Sequence, residues 1–179
     1  CGMDFPAFVE QEILQPLNMT RSVYTQQGLD QDPENNVMSG YRFTSEGGKP
    51  AAKESDLPFG IYSPPRGGLY ASSNEMLNYA ECLVNGGVYK GEQILSPESV
   101  AVLFEGLISV STPYGEGEDP QYALGWTVEK PTEQTPYTLI QHGGNLDTSS
   151  AFLLLIPELK LAVMAAENAT TGITTPMAR

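Results

Sequence analysis

Two apolar runs, Ala151–Ile156 and Leu161–Ala166, are separated only by Pro157-Glu158-Leu159-Lys160. That spacing is a hairpin's. Near-continuous apolarity at strand length suits central strands covered on both faces. Neither run approaches the roughly 20 apolar residues that span a bilayer. The chain must therefore supply a sheet and the layers that cover it.

The pattern before the hairpin completes the architecture. Tyr122–Val128 alternates apolar residues around Gly125-Trp126, and Tyr137–Gln141 is short and β-prone, which predicts an antiparallel meander from about residue 122. The first half reads as helices. Phe5, Phe8, Val9, Ile13 and Leu14 recur at helical spacing until Pro16. Ser72 caps a second helix with Glu75 completing a capping box, Met76, Leu77, Ala80, Leu83 and Val84 form its stripe, and Gly86-Gly87 end it. A third starts at Ser96-Pro97-Glu98 and buries Val100, Leu103 and Phe104. Residues 20–58 are polar and predict a long excursion with at most short strands, one near Tyr41–Phe43. Helices followed by an antiparallel meander make an α+β (mixed α/β) organisation.

Charge excludes some function classes. The 179 residues carry 22 Asp plus Glu against nine Lys plus Arg, a formal net charge of −13. Such a chain lacks the basic patch that nucleic acid or an anionic membrane requires, and an acidic surface mainly confers solubility. Cys1 and Cys82 match no zinc or redox spacing; two free thiols are favoured over a disulfide between them. Sequons stand at Asn18-Met19-Thr20 and Asn168-Ala169-Thr170. They accept glycans only in a eukaryotic secretory pathway.

One local feature can carry chemistry: Gln141-His142-Gly143-Gly144-Asn145, where a predicted strand ends. Paired glycines let backbone approach a ligand. A strand-edge N–H can stabilise an oxyanion. His142, the sole histidine, can transfer or share a proton near neutral pH. The plain alternative is a hairpin turn with an ordinary histidine.

Ordered segments tip that balance. "FVEQEILQPLNMTRSVY", "PPRGGLYASSNEMLNYAECLVNGG", "ILSPESV", "YALGW" and "QHGGN…SSAFLLLIPELKLAVMAAENA" follow one another along the chain. Together they resemble the serine β-lactamase and penicillin-binding superfamily, in its class C and related esterase branch. The first is similar to a helix ending in "PLGM", the second to "aGGl-S-T-x-x-D-m" with its helix, the fourth to "YGLGW". The fifth resembles the family's third motif, Lys-Thr-Gly or His-x-Gly, and the hairpin after it. The resemblance implies a penicillin-recognising fold and a secreted or periplasmic serine hydrolase that needs no cofactor and no metal. It makes His142 the motif's basic residue, lets substrate approach at Gly143 and Gly144, and makes the Asn145 N–H an oxyanion-hole donor. Class C β-lactamases carry Lys where His142 stands, a departure that points toward an esterase, amidase or peptidase.

The family's nucleophile is the Ser of Ser-x-x-Lys, in which the Lys amine accepts the Ser proton. Glu46, Pro50, Gly87, Thr127 and Pro157 precede the five lysines by three residues, and none is Ser. Tyr-x-Asn is also absent. In the family both motifs precede the segments found here, and the chain opens at Cys1-Gly2-Met3 directly before a helical pattern. The expectation is that residues 1–179 form the C-terminal portion of one hydrolase domain, incomplete by itself. Its partners would be the N-terminal portion of the same polypeptide and a small-molecule or peptide substrate. Two rivals stand beside this: a non-catalytic relative that binds peptide or cell-wall fragments, and an unrelated interaction domain. Weaker candidates are Asp147 and the Glu116–Asp119 cluster as metal ligands, against a plain acidic loop. Tyr122, Trp126 and Phe152 are candidate cleft aromatics, more often core. The turn from Tyr62 to Arg66 is a candidate cleft border.

Overall fold

The first helical segment packs against the second, with Val9 and Leu14 over Cys82. In the computed structural model, which describes residues 2–34, 36–46, 49–55, 64–110 and 120–169, helix α1 spans Phe5–Val9 and continues as a π-helical turn over Glu10–Leu14. Its buried side is Val9 and Leu14, while Phe5 and Phe8 of the predicted stripe stay exposed. The polar excursion is more ordered than its composition predicts. It holds the short helix α2, Gln26–Asp30, capped by the Thr25 hydroxyl. It also holds an antiparallel hairpin of two seven-residue strands, β1 Gly40–Glu46 and β2 Lys49–Ser55. The first contains the short strand expected near Tyr41–Phe43, while the second carries no apolar alternation to reveal it.

Helix α3, Ser73–Val84, begins as predicted, with the Ser72 hydroxyl accepting from the Glu75 N–H. The reciprocal half of the capping box does not form. The Glu75 carboxylate accepts instead from the Arg21 N–H at 2.9 Å and the Ser22 hydroxyl at 2.7 Å, tying the preceding segment to the helix start. The Arg21 guanidinium binds Asp32 and Glu34 in turn. Two glycines with positive φ turn the chain out of α3, and the Gly87 N–H closes on the Cys82 carbonyl at 2.8 Å. A tight pair, β3 Val88–Tyr89 and β4 Glu92–Gln93, leads to α4, Pro97–Leu103, capped by Ser96.

The remaining strands are β5 Ile108–Ser109, β6 Gln121–Tyr122, β7 Thr127–Glu129, β8 Leu139–Leu146, β9 Ser149–Ile156 and β10 Leu161–Glu167. They form one antiparallel meander in the order β10-β9-β8-β7-β6-β5. Three expectations are corrected. Tyr122–Val128 is not one strand but two, because residues 123–126 turn, with the Ala123 N–H on the Trp126 carbonyl and Gly125 at φ +81°. The predicted short strand near Gln141 runs on to Leu146, so the glycine motif lies inside it. And of the two apolar runs only β9 is central; β10 packs on both faces through Ala162 and Met164 and through Val163 and Ala165 but is the sheet's terminal strand among the described residues, and Leu161 stays exposed.

The core is layered. Ala80, Leu83, Val84 and Val100 pack against Ala123, Trp126, Ile140, Leu153 and Leu155 on one sheet face. On the far side of α3, Val9, Leu14, Leu17 and Met19 close over Cys82 and Tyr89, so α3 is buried on two sides and Leu77 faces outward. Phe152 and Leu154 form a smaller cluster on the opposite sheet face. Leu155 is fully buried; truncation to Ala there costs about 2–5 kcal/mol. Among the described residues no helix is long and apolar enough to cross a membrane. Cys1, Tyr62, Glu116–Asp119 and Thr170 lie outside the described residues. So, with them, do the Cys1–Cys82 pairing, the metal reading of that cluster, the start of the Tyr62 turn and the end of the second sequon.

Candidate functional site

Strand β8 has two different halves. Ile140 and Gln141 are flanked on both sides, paired with Val128 and Thr127 of β7 and with Leu155 and Leu154 of β9. The Gln141 amide donates to the Glu129 carboxylate across that junction, with both side chains buried. Beyond Gln141 the β7 pairing ends. His142, Gly143, Gly144 and Asn145 keep their partners on β9 and, among the described residues, have no strand on the other edge. All four are exposed. The four predicted site residues thus share one open strand edge.

The glycines differ in what they make room for. A Cβ on Gly143 would stand 3.1 Å from Cδ2 of the buried Phe152 ring, so this glycine serves packing within the sheet. A Cβ on Gly144 would meet nothing within 4 Å. Of the two, Gly144 is the one whose Cβ position is open among the described residues. Asn145 stands opposite Ser150, whose hydroxyl donates to the Ala169 carbonyl at 3.3 Å.

His142 stands next to Tyr122. The hydroxyl lies 3.3 Å from Nε2, and the ring centroids are 6.3 Å apart at a tilt of 59°. Although His142 is open to solvent, protein crowding around the ring strips enough water to hold its pKa below the ordinary histidine value. The imidazole is therefore neutral at neutral pH. Of the three candidate aromatics, Trp126 is core, edge-on to Phe104, and Phe152 is core beneath Gly143. Only Tyr122 reaches the motif.

The surroundings of the edge are held by long-range ties. Gly67, at φ +80°, packs so that its Cβ position lies 3.6 Å from Leu146 Cδ2, which sets the described part of the Pro64–Gly68 turn at the end of β8. Asp147 forms an ion pair with Arg42 at 2.6 Å. Tyr41 N–H donates to the Asn168 carbonyl, and the Asn168 amide to the Ser39 carbonyl. The base of the β1–β2 hairpin is thereby fixed beside the β8–β9 turn. Among the described residues no three His, Cys, Asp or Glu groups gather as metal ligands do.

The sequence model of the Beta-lactamase family matches residues 2–177. The chain belongs to the Beta-lactamase family. Solved structures agree on the fold. The octameric penicillin-binding protein homologue from Pyrococcus abyssi superposes with a TM-score of 0.80 at 23% identity, covering 98% of this chain and 37% of that one. A D-stereospecific amidohydrolase from Streptomyces sp. matches with a TM-score of 0.67 at 17% identity, covering 94% and 45%. A class C β-lactamase matches with a TM-score of 0.67 at 15% identity, covering 98% and 49%. The chain therefore spans less than half the length of each of these three. No curated protein sequence matches it significantly. The α+β, penicillin-recognising fold expected from the ordered segments is the fold observed.

Proposed function

We propose that this Beta-lactamase family chain supplies one wall of the active site of a serine hydrolase that cleaves ester, amide or peptide bonds through an acyl-enzyme. The observation that carries the reading is the β8 edge at His142–Asn145, which has no strand beside it among the described residues, with the Cβ position of Gly144 open. A substrate carbonyl laid along that edge can bring its oxygen to the Asn145 N–H, which is where negative charge develops on attack. His142 offers a neutral imidazole beside it as a hydrogen-bonding or proton-transfer group. The nucleophilic Ser and its Lys, and the Tyr of Tyr-x-Asn, come in this reading from polypeptide preceding residue 1, whose N–H at Ser completes the oxyanion hole. The small share of each solved relative that the chain covers supports that division. The amidohydrolase among them supports acyl transfer as the chemistry. A secreted or periplasmic location goes with the same reading.

The test is His142→Ala in the protein that carries this chain together with a Ser-x-x-Lys segment, assayed on p-nitrophenyl esters and on amide substrates. A fall in kcat/KM of more than about tenfold is expected for a group acting in proton transfer. Unchanged hydrolysis by the variant would remove His142 from the site. A complete protein without Ser-x-x-Lys would remove the enzyme reading altogether.

A further inference from the structure

The reading of His142 as an active-site group leaves open what aims the ring, and Tyr122 is the described side chain within hydrogen-bond reach of it. Its backbone is held from both sides: Tyr122 pairs with Ile108 on β5 and with Thr127 on β7, and the Tyr122 carbonyl accepts from the Leu107 N–H at 2.9 Å. The turn that follows is anchored by Trp126, buried against Phe104. The phenol is thus delivered from a rigid hairpin to the exposed ring at 3.3 Å. That separation is long for a hydroxyl bond, and catalytic hydrogen bonds commonly tighten only once substrate is bound.

We propose that Tyr122 is a positioning residue for His142: its O–H donates to Nε2, fixes the ring in the tautomer protonated on Nδ1, and so turns an Nδ1–H donor toward the bound substrate. The inference rests on the proposed function. It adds a direction to that function. A ring whose Nε2 accepts a hydrogen bond is neutral, so His142 meets the substrate as an uncharged donor to an ester or amide heteroatom and not as a cation that pairs with a carboxylate. Burial, with no charged side chain of the described residues contributing, is the cause that keeps the ring neutral. The second ring nitrogen of a histidine is commonly set by the bond the first one makes.

The experiment uses the complete protein and two readouts. The first is the tautomer of His142 by ¹⁵N NMR, its signals assigned by their loss in His142→Gln. The second is the pH profile of kcat/KM in Tyr122→Phe, which keeps the ring and deletes the hydroxyl. Expected are the Nδ1–H tautomer in the unaltered protein, an acid limb that moves to higher pH in Tyr122→Phe, and a loss of about tenfold in kcat/KM at neutral pH, the scale of one hydrogen bond. A tautomer protonated on Nε2 overturns the proposal even if Tyr122→Phe fails to fold. An unshifted profile in a folded Tyr122→Phe overturns it too, while a fall of more than about tenfold in His142→Ala keeps the wider reading. Full activity in His142→Ala would instead sink the wider reading.

Discussion

Gly143 and Phe152 face each other across β8 and β9 so closely that a Cβ on the glycine would stand 3.1 Å from Cδ2 of the ring. Phe152 is 3% exposed and has little room to retreat. Gly143→Ala is expected to cost about 1–3 kcal/mol, the usual penalty of overpacking, read as a lower midpoint in urea. Gly144→Ala should leave stability within about 0.5 kcal/mol, yet reduce hydrolysis by filling the space above the strand. Equal stability losses at both positions would contradict the division of roles.

His142 predicts a specific pH response. Its folded-state pKa lies below the ordinary histidine value because of burial, so the unfolded chain takes up the proton first as pH falls. Stability contributed by the neutral ring is present above the unfolded-state value of about 6.5. It is lost as pH falls from there through the folded value. Chemical denaturation between pH 7.5 and 5 should show less loss in His142→Gln than in the unaltered protein.

Glu75 predicts a helix start that doubles as a clamp. Ser72→Ala removes one cap and should cost about 1 kcal/mol. Glu75→Ala loses the bonds to the Arg21 N–H and the Ser22 hydroxyl together, and should cost more than Ser72→Ala. Thermal melts of both variants check the order; a smaller effect at Glu75 would mean that the Arg21 segment is held by other contacts.

Arg42 and Asp147 predict a small number. Both side chains are about half exposed, and exposed ion pairs contribute about 0–1 kcal/mol. Asp147→Asn should change stability by less than that, with the difference shrinking further in 0.5 M salt. Calcium should leave the melting temperature unchanged. A calcium-dependent rise abolished by Asp147→Asn would revive the metal reading of this residue.

The terminal strand β10 predicts dependence on more chain. Among the described residues its outer edge has no partner strand and Leu161 is exposed, the kind of surface that aggregates or pairs when left open. Residues 1–179 expressed alone are expected to associate or to unfold without cooperativity. The same residues joined to the Ser-x-x-Lys segment of the proposed function should unfold in one transition. A monomeric, cooperative 179-residue fragment would contradict this.

Much of this was legible beforehand because it rests on local chemistry. Ser72 and Ser96 announce helix starts, Gly86-Gly87 an exit, and the apolar run of β9 a central strand. What stayed hidden depends on partners distant in sequence. Of the β1–β2 hairpin only the Tyr41–Phe43 stretch was expected, and β2 carries no apolar alternation to betray it. The 123–126 turn hides behind Gly125, which reads equally well as a strand glycine. The capping box at Glu75 failed because Arg21 and Ser22, more than fifty residues away, compete for the same carboxylate. In the motif, both glycines looked alike; only the position of Phe152 separates them. Tyr122 looked like one core aromatic among three, since nothing local marks a residue that faces a histidine twenty positions on.

The unequal flanking of β8 makes the strand a cantilever. Its root at Ile140 and Gln141 is paired on both edges, while among the described residues the span from His142 to Asn145 is paired on β9 alone and takes part of its direction from that root. Alterations at Glu129 or Gln141, both buried at the root, would therefore tilt the tip and change the reach of Asn145. For anyone wishing to retune such a site, the clamp is a dial that leaves every group along the span chemically intact.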